Sequence, residues 1–404
     1  MEGRLLLKDC TLLDGGRLRS HQAVVVEGPV VTRVGPDADE PVRAGDWAVE
    51  ARGRLLVPGR IDAHALLPGL EVARRPPTPA EVEALSLGAM AAALRAGTTC
   101  GLAQLPSGGD AAVNLAAQAR AARRLGFRLL SSLAAEGIHG VAAHDVNLAA
   151  VEATRMDPLV RHGLGSADAL SASDELLRVI GRDLHNLAVP VQFPLAESDA
   201  QLVEHFELHG RRIVERLERH GLLGPSTIAA HARAIDGAEA ALLASRSVLV
   251  AWSPLADLLG ELHGFASVWR PEHRVALGSG GVGGLAAHWT AARTLAHRAA
   301  RLGRLWAEER LLELLGGVGA ADLLGRLFGQ PIGVVAPGAL ADLVLLDQVP
   351  AEDDALEAVL HRSVEVPVAW TVVHGRVVVR EGQLLGADAL ELLTEAAAAR
   401  RALR

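Results

Sequence analysis

The chain opens with short runs in which apolar and polar positions alternate: RLLLKDCTLL, AVVVEGPVVTRVG and GRLLVPG, separated by Gly and Asp. Alternation with turn residues between the runs predicts strands over residues 1–57. The same texture returns in ADLVLLD (341–347) and VAWTVVHGRVVVREGQLL (368–385). The two ends therefore read as halves of one small β domain whose termini meet beside a larger insert. Inside the insert the period changes. AEVEALSLGAMAAALRAG (80–97), AVNLAAQARAARRLG (112–126), DELLRVIGRDLHNLA (174–188), QLVEHFELHGRRIVERLERHG (201–221) and AEAALLASR (238–246) carry helix-spaced apolar residues. A short apolar run follows each: TTCGLAQL, FRLLSSL, VPVQFPLAE, STIAAHA and SVLVAWSP. Repeated helix-then-strand units imply a parallel sheet, and this many in one run favour a closed α/β barrel. Chemistry then belongs at the last residues of the apolar runs.

The predicted organisation is a β-sandwich part at 1–57, a TIM-type (β/α)8 barrel at 58–335, a second sandwich part at 336–388 and a helical tail at 389–404. The Ala-rich tail reads as a solvated helix. Half of the 404 residues are hydrophobic while only 3% are aromatic and Tyr is absent, so Leu, Val and Ala must fill the core. A net charge of −8 without a dense basic run argues against nucleic acid as a partner. Cys10 and Cys100 are too few for a disulfide framework. The N-terminal run is broken by Arg4, Lys8 and Asp9, unlike a signal peptide, and no charge-free stretch is long enough to span a bilayer. The expected location is the cytoplasm.

LLVPGRIDAH, LRAGTTC, HGLLGPSTIAAH, RVALGSGG and VVAPGALADLVLLD follow one another in an order that resembles the amidohydrolase superfamily. The likeness is to its branch of aminohydrolases, chlorohydrolases and nucleobase deaminases, and GRRIVERLERHGLLGP through AAHARAID looks most like the group associated with selenium metabolism. The resemblance implies the same barrel and composite sandwich, hydrolysis of carbon–nitrogen bonds other than peptide bonds, and a divalent metal. It also implies ligands in fixed slots: His-x-His on the first strand, a histidine three residues before a glutamate, a later histidine, and an aspartate on the last strand. An ion so held acidifies a bound water, and a carboxylate and an imidazole shuttle protons to the leaving nitrogen.

Carried over slot by slot, the resemblance gives His64 as a metal ligand, with Leu66 where its partner belongs. Glu197 matches the acid/base glutamate, with Pro194 in the ligand slot and Gln192 two residues before it. His231 matches the histidine near the metal-bound water. Trp252 stands where relatives have the His of Ser-His-Asn-Pro, Gly280 where they have the aspartate, and Gln104 and Leu105 where histidines often follow TTC. Leu66, Pro194 and Gly280 cannot ligate, and three ligands are the usual minimum. The expectation is therefore an amidohydrolase-like protein with an incomplete metal site, no cofactor and no family hydrolase activity, kept for binding a small molecule, for dimerising, or for pairing with an active paralogue. Two alternatives stand beside it. One is an active hydrolase or deaminase using Glu197 and His231 through a reduced site, with zinc or iron at His64. The other is an anion-binding module in which Gly280, Gly281 and Gly283 of the 278–284 loop offer backbone N–H groups ahead of a helix.

The blander readings are concrete too. His64 and His231 fit buried, backbone-bonded histidines, and Glu197 fits an acid favoured at a helix start. His205 and His209, four apart, and His220 fit a solvated helix face, and Arg60, Arg74 and Arg75 fit solvent-facing charge.

Overall fold

A computed structural model of the chain describes residues 3–14, 17–67, 70, 73–259, 269–270, 272–301, 313–314, 317–351, 354 and 356–404. Pro68 and Gly69, which close the motif at His64, lie outside that set.

The alternating runs at the two ends build one sheet of nine strands. From the N-terminus come β1 (Leu5–Asp14), β2 (Arg17–Glu27), β3 (Val30–Pro36), β4 (Trp47–Glu50) and β5 (Leu55–Pro58). The path runs β18-β17-β16-β15-β5-β1-β2-β3, with β4 beside β1, where β15 is Leu343–Leu346, β16 Val368–Val373, β17 Arg376–Arg380 and β18 Gln383–Leu384. Chain start and chain end meet where β15 lies antiparallel to β5, Leu343 opposite Pro58. Leu5, Leu7, Val24, Val26, Leu56, Leu343, Leu345 and Val372 fill a shared core, so this composite β-sandwich needs both termini to exist.

One glycine separates β5 from the first barrel strand, and the Gly59 N–H donates to the Asp342 carbonyl at 2.8 Å. The sandwich thereby sets the position of the strand that carries His64. The barrel strands are β6 (Arg60–Ala65), β7 (Thr98–Pro106), β8 (Arg128–Ala134), β9 (Val160–His162), β10 (Leu164–Gly165), β11 (Val191–Leu195), β12 (Thr227–His231), β13 (Leu249–Trp252) and β14 (Arg274–Leu277). They run parallel in two arcs, β6-β7-β8-β9 and β10-β11-β12-β13-β14. β9 and β10 are pieces of one strand interrupted at Gly163, which gives eight strands among the described residues. A parallel bridge between Ala135 and Ser166 joins the arcs on one side. On the other, the Gly280 N–H donates to the His64 carbonyl at 2.8 Å and closes the ring.

Ile61, Ala63, Cys100, Leu102, Leu130, Ile228, Ala230, Leu249, Ala251 and Ala276 pack inside the barrel, with Leu323 and Leu324 plugging one end. Val191, Phe193, Ala229, Val250, Trp252 and Leu277 point outward against helices that supply Leu176, Leu217, Leu243 and Trp289. The buried ion pair of Arg128 with Asp342, at 2.6 and 3.0 Å, clamps the barrel to the sandwich.

The structure departs from the sequence reading at several places, one being that His205, read as part of a solvated helix face, is fully buried. The segment 201–221 is two helices, Asp199–His209 and Ile213–Arg219, because Gly210 takes a left-handed conformation (φ 62°) and ends the first. The tail helix Ala389–Leu403 is not solvated on all faces: Leu392, Ala396 and Leu403 are buried, and a Cβ on Gly88 of the helix Pro79–Arg95 would lie 2.5 Å from that of Ala396. Arg60 is not a surface charge. It is buried and donates to the carbonyls of Ala96 and Ser363 at 2.8 and 2.7 Å, while Arg75 pairs with Glu81 at the surface.

Candidate active site

The strands deliver His64, Gln104, Ser132, Gln192 and His231 to the C-terminal half of the barrel, and Glu197, Arg233 and Ser253 follow just beyond strand ends. This is the end of a parallel barrel where side chains from different strands converge. His64 is fully buried, and its ring meets that of His231 edge to face with centroids 4.9 Å apart. The sequence reading paired these two imidazoles only by resemblance; the fold brings them into contact.

Gln192 holds the other side of His64, its Nε2 lying 2.6 Å from Nδ1. Gln104 Nε2 in turn donates to the carbonyls of Ser166 and Gln192 at 3.0 and 3.1 Å. The two glutamines therefore form a polar frame on the Nδ1 side of His64. His64 Nε2 and the hydroxyls of Ser132 and Ser253 are buried and lack hydrogen-bond partners among the described residues. Buried polar groups are nearly always paired, so each of these atoms marks a place for water or a polar ligand.

Burial, and then the neighbouring His231, push the His64 pKa well below its usual value. His231 is pushed down to about 4, first by burial and then by Arg233 and His288. Both imidazoles are therefore neutral near pH 7. Burial and Asp168 raise the Glu197 carboxyl, against a smaller lowering by Arg233. Arg233 also lies 3.0 Å from the carboxylate of Asp257, which accepts from Trp252 Nε1 at 2.7 Å. Burial lifts Asp257 to about 6 in spite of those partners. The backbone is strained here as well: Ala196, His231 and Ala232 have φ of 49°, 67° and 51°, left-handed values that non-glycine residues rarely adopt.

Sequence reasoning missed Ser132, Ser253, Arg233 and Asp257. Two of them carried a signal: Ser253 is the next-to-last residue of the run SVLVAWSP and Arg233 stands two residues past His231. Trp252 is fully buried in the outer layer, where its Nε1 donates to Asp257. Gly280 does border the site, since a Cβ there (φ 56°) would lie 3.3 Å from His231 Cε1 and 3.2 Å from Ser253 Oγ. Leu66 lies against the neighbouring Gly281, and Pro194 occupies the barrel strand that ends before Glu197.

The glycine loop is not a free anion cradle. The N–H groups of Gly278, Ser279, Gly280 and Val282 already donate to Trp252 O, Asp62 Oδ1, His64 O and Ser279 O. Asp62 also places a buried carboxyl beside the loop. A cavity of about 400 Å³ lies behind β6, lined by Asp62, Met90, Ala93, Gln118, Phe127 and Leu285, and contains none of His64, Glu197 or His231. Its size does not make it the reaction site.

No family model matches the chain. Curated relatives do. The chain is 28% identical over 250 residues to a 5'-deoxyadenosine deaminase of Methanopyrus kandleri, covering 59% of this chain and 57% of that protein. It is 28% identical over 256 residues to a 5-methylthioadenosine/S-adenosylhomocysteine deaminase of Syntrophobacter fumaroxidans, covering 60% and 57%. The match thus spans less than three fifths of the length of these relatives. Among solved structures, an adenosine deaminase from Xanthomonas campestris with bound zinc superposes with a TM-score of 0.84 at 23% identity, over 99% of this chain and 98% of that one. The chain is thus similar in sequence to proteins named as deaminases, and it shares the barrel-and-sandwich fold of the zinc-bound adenosine deaminase.

Two expectations are corrected by these comparisons. The reading of a chain without hydrolase activity gives way, because the relatives it matches are named as deaminases. The reading of no cofactor gives way to a metal, because neighbours of the same fold carry zinc. Counting ligand slots put the metal set first, whereas the alternative reading rested on Glu197 and His231, which lie at or just beyond the ends of the adjacent strands β11 and β12. The donor set remains unusual. Among the described residues no group of three or more His, Cys, Asp or Glu is arranged to hold an ion, so the side chains present do not fit a three-ligand centre. No described helix is long and apolar enough to cross a membrane.

Proposed function

We propose that the chain is a hydrolase of carbon–nitrogen bonds other than peptide bonds, releasing ammonia from the exocyclic amine of an adenine-type nucleoside. The observation that carries this reading is the convergence of two neutral imidazoles, His64 and His231, at the barrel end that also holds the proton-retaining Glu197. The deaminase names of the relatives supply the substrate class.

In the proposed reaction a water oxygen bonds to the ring carbon that bears the amine, and the carbon–nitrogen bond breaks. His231, uncharged above about pH 4, takes the proton that the water sheds. Glu197, whose carboxyl keeps its proton more tightly than an exposed one, delivers a proton to the departing nitrogen, which leaves as ammonia. One water is consumed and one ammonia formed, with no change of oxidation state. Arg233 tempers Glu197, and the Ser132 and Ser253 hydroxyls are free to bond the heterocycle. The zinc of similar proteins supports a metal cofactor, which when bound acidifies a water. Because the donors do not form a three-ligand set, no step above runs through it. We place the protein in the cytoplasm, with both cysteines buried and unpaired.

The test is a panel of adenosine, 5'-deoxyadenosine, 5'-methylthioadenosine and S-adenosylhomocysteine, with and without added zinc, followed by ultraviolet absorbance and ammonia release. Turnover of at least one member that disappears in Glu197→Gln supports the reading. Equal ammonia from wild type and variant refutes it.

A further inference from the structure

His64 has two ring nitrogens in very different surroundings. Nδ1 faces the Gln192 amide at 2.6 Å, whereas Nε2 is buried without a partner among the described residues. Gln192 is 3% exposed, its backbone lies within β11 between β10 and β12, and its carbonyl accepts from Gln104. A neutral imidazole carries one proton, and the hydrogen bond made by one nitrogen decides where that proton sits. An amide N–H pointing at Nδ1 requires a lone pair there, so the proton must be on Nε2.

We propose that Gln192 is a positioning residue that fixes the tautomer of His64, so that Nε2–H is a hydrogen-bond donor directed into the barrel. An imidazole that donates from Nε2 can bond an acceptor on a bound heterocycle but has no lone pair there for an ion. Ligation through Nε2 requires the proton on Nδ1, and the same side chain permits it only with its amide turned so that Oε1 accepts. The orientation of the Gln192 amide thus decides whether His64 Nε2 donates or is free to ligate. A leucine or histidine at this position would not impose the same choice.

The inference concerns the free protein and stands apart from the reaction proposed above. It is tested by long-range 1H–15N spectra of protein labelled in its histidines, with His64 signals assigned by their loss in His64→Gln. The expected result is a protonated Nε2 and a bare Nδ1 in the wild type. Gln192→Glu, whose carboxylate only accepts, is expected to move the proton to Nδ1, and Gln192→Met to give a mixture, with melting temperatures checking that each variant is folded. A wild-type His64 protonated on Nδ1 overturns the proposal, as does an Nε2–H tautomer that persists unchanged in both folded variants.

Discussion

His231 and His64 meet in a T-shaped pair with ring centroids 4.9 Å apart, and a Cβ on Gly280 would lie 3.3 Å from His231 Cε1. If this pair shapes the reaction centre, losing the proton acceptor is costly. His231→Gln is expected to lower kcat/KM by about 100-fold or more with an unchanged melting temperature, the usual range for a general acid or base. A variant within twofold of wild type removes His231 from the chemistry.

The pH profile has a defined shape. His231 must be neutral to accept a proton, so the acidic limb of kcat/KM is expected near pH 4. Glu197 must be protonated, so activity falls again as pH rises through its elevated pKa, and that second limb is expected to vanish in Glu197→Gln together with most of the rate. Initial rates from pH 3.5 to 9 measure both limbs. A profile without a basic limb assigns Glu197 another role.

Asp257 couples the site to stability. Its folded carboxyl holds a proton to about pH 6, whereas the unfolded group releases it near 3.8. Folding therefore takes up a proton between those values, and stability falls as pH rises through them. The loss is bounded at about 3 kcal/mol, from ~1.4 kcal/mol per pH unit. Denaturant titrations of wild type and Asp257→Asn at pH 4 and pH 7 are expected to show a smaller difference between the two pH values in the variant.

The clamp between barrel and sandwich gives a larger effect. Arg128 and Asp342 are 0% and 1% exposed, and the Phe328 ring lies 4.6 Å from the guanidinium centre. Asp342→Ala strands a buried cation, which costs about 3–5 kcal/mol. Removing both charges with Arg128→Met and Asp342→Leu is expected to recover most of that. A thermal melt of the three proteins decides it, and an Asp342→Ala protein as stable as wild type contradicts the clamp.

The architecture was legible because period-two runs and helix-then-strand units are properties of the whole chain. The two halves of the sandwich could be matched from texture alone, as β5 and β15 show. Candidate residues were legible one by one only where a motif named a slot, and of those His64 and His231 are brought into ring contact. What stayed hidden depends on side-chain direction. Trp252 and Ser253 are neighbours in sequence, yet one faces the outer layer and the other is an unpartnered hydroxyl beside Gly280. Arg60 reads as a surface charge until two carbonyls from distant segments are folded over it. The step from absent ligands to absent activity failed for a different reason, since it ranked the missing metal ligands above the alternative in which Glu197 and His231 still act, which the deaminase relatives favour.

Oxygen tracing tests the central claim most directly. The purified chain is incubated with 5'-deoxyadenosine in H2(18)O, and product mass and ammonia are measured together, with Glu197→Gln run in parallel. Hydrolytic deamination requires one heavy oxygen in each product molecule and one ammonia released with it, both lost in the variant. Substrate recovered intact at every zinc concentration, or ammonia formed without oxygen incorporation, contradicts the account.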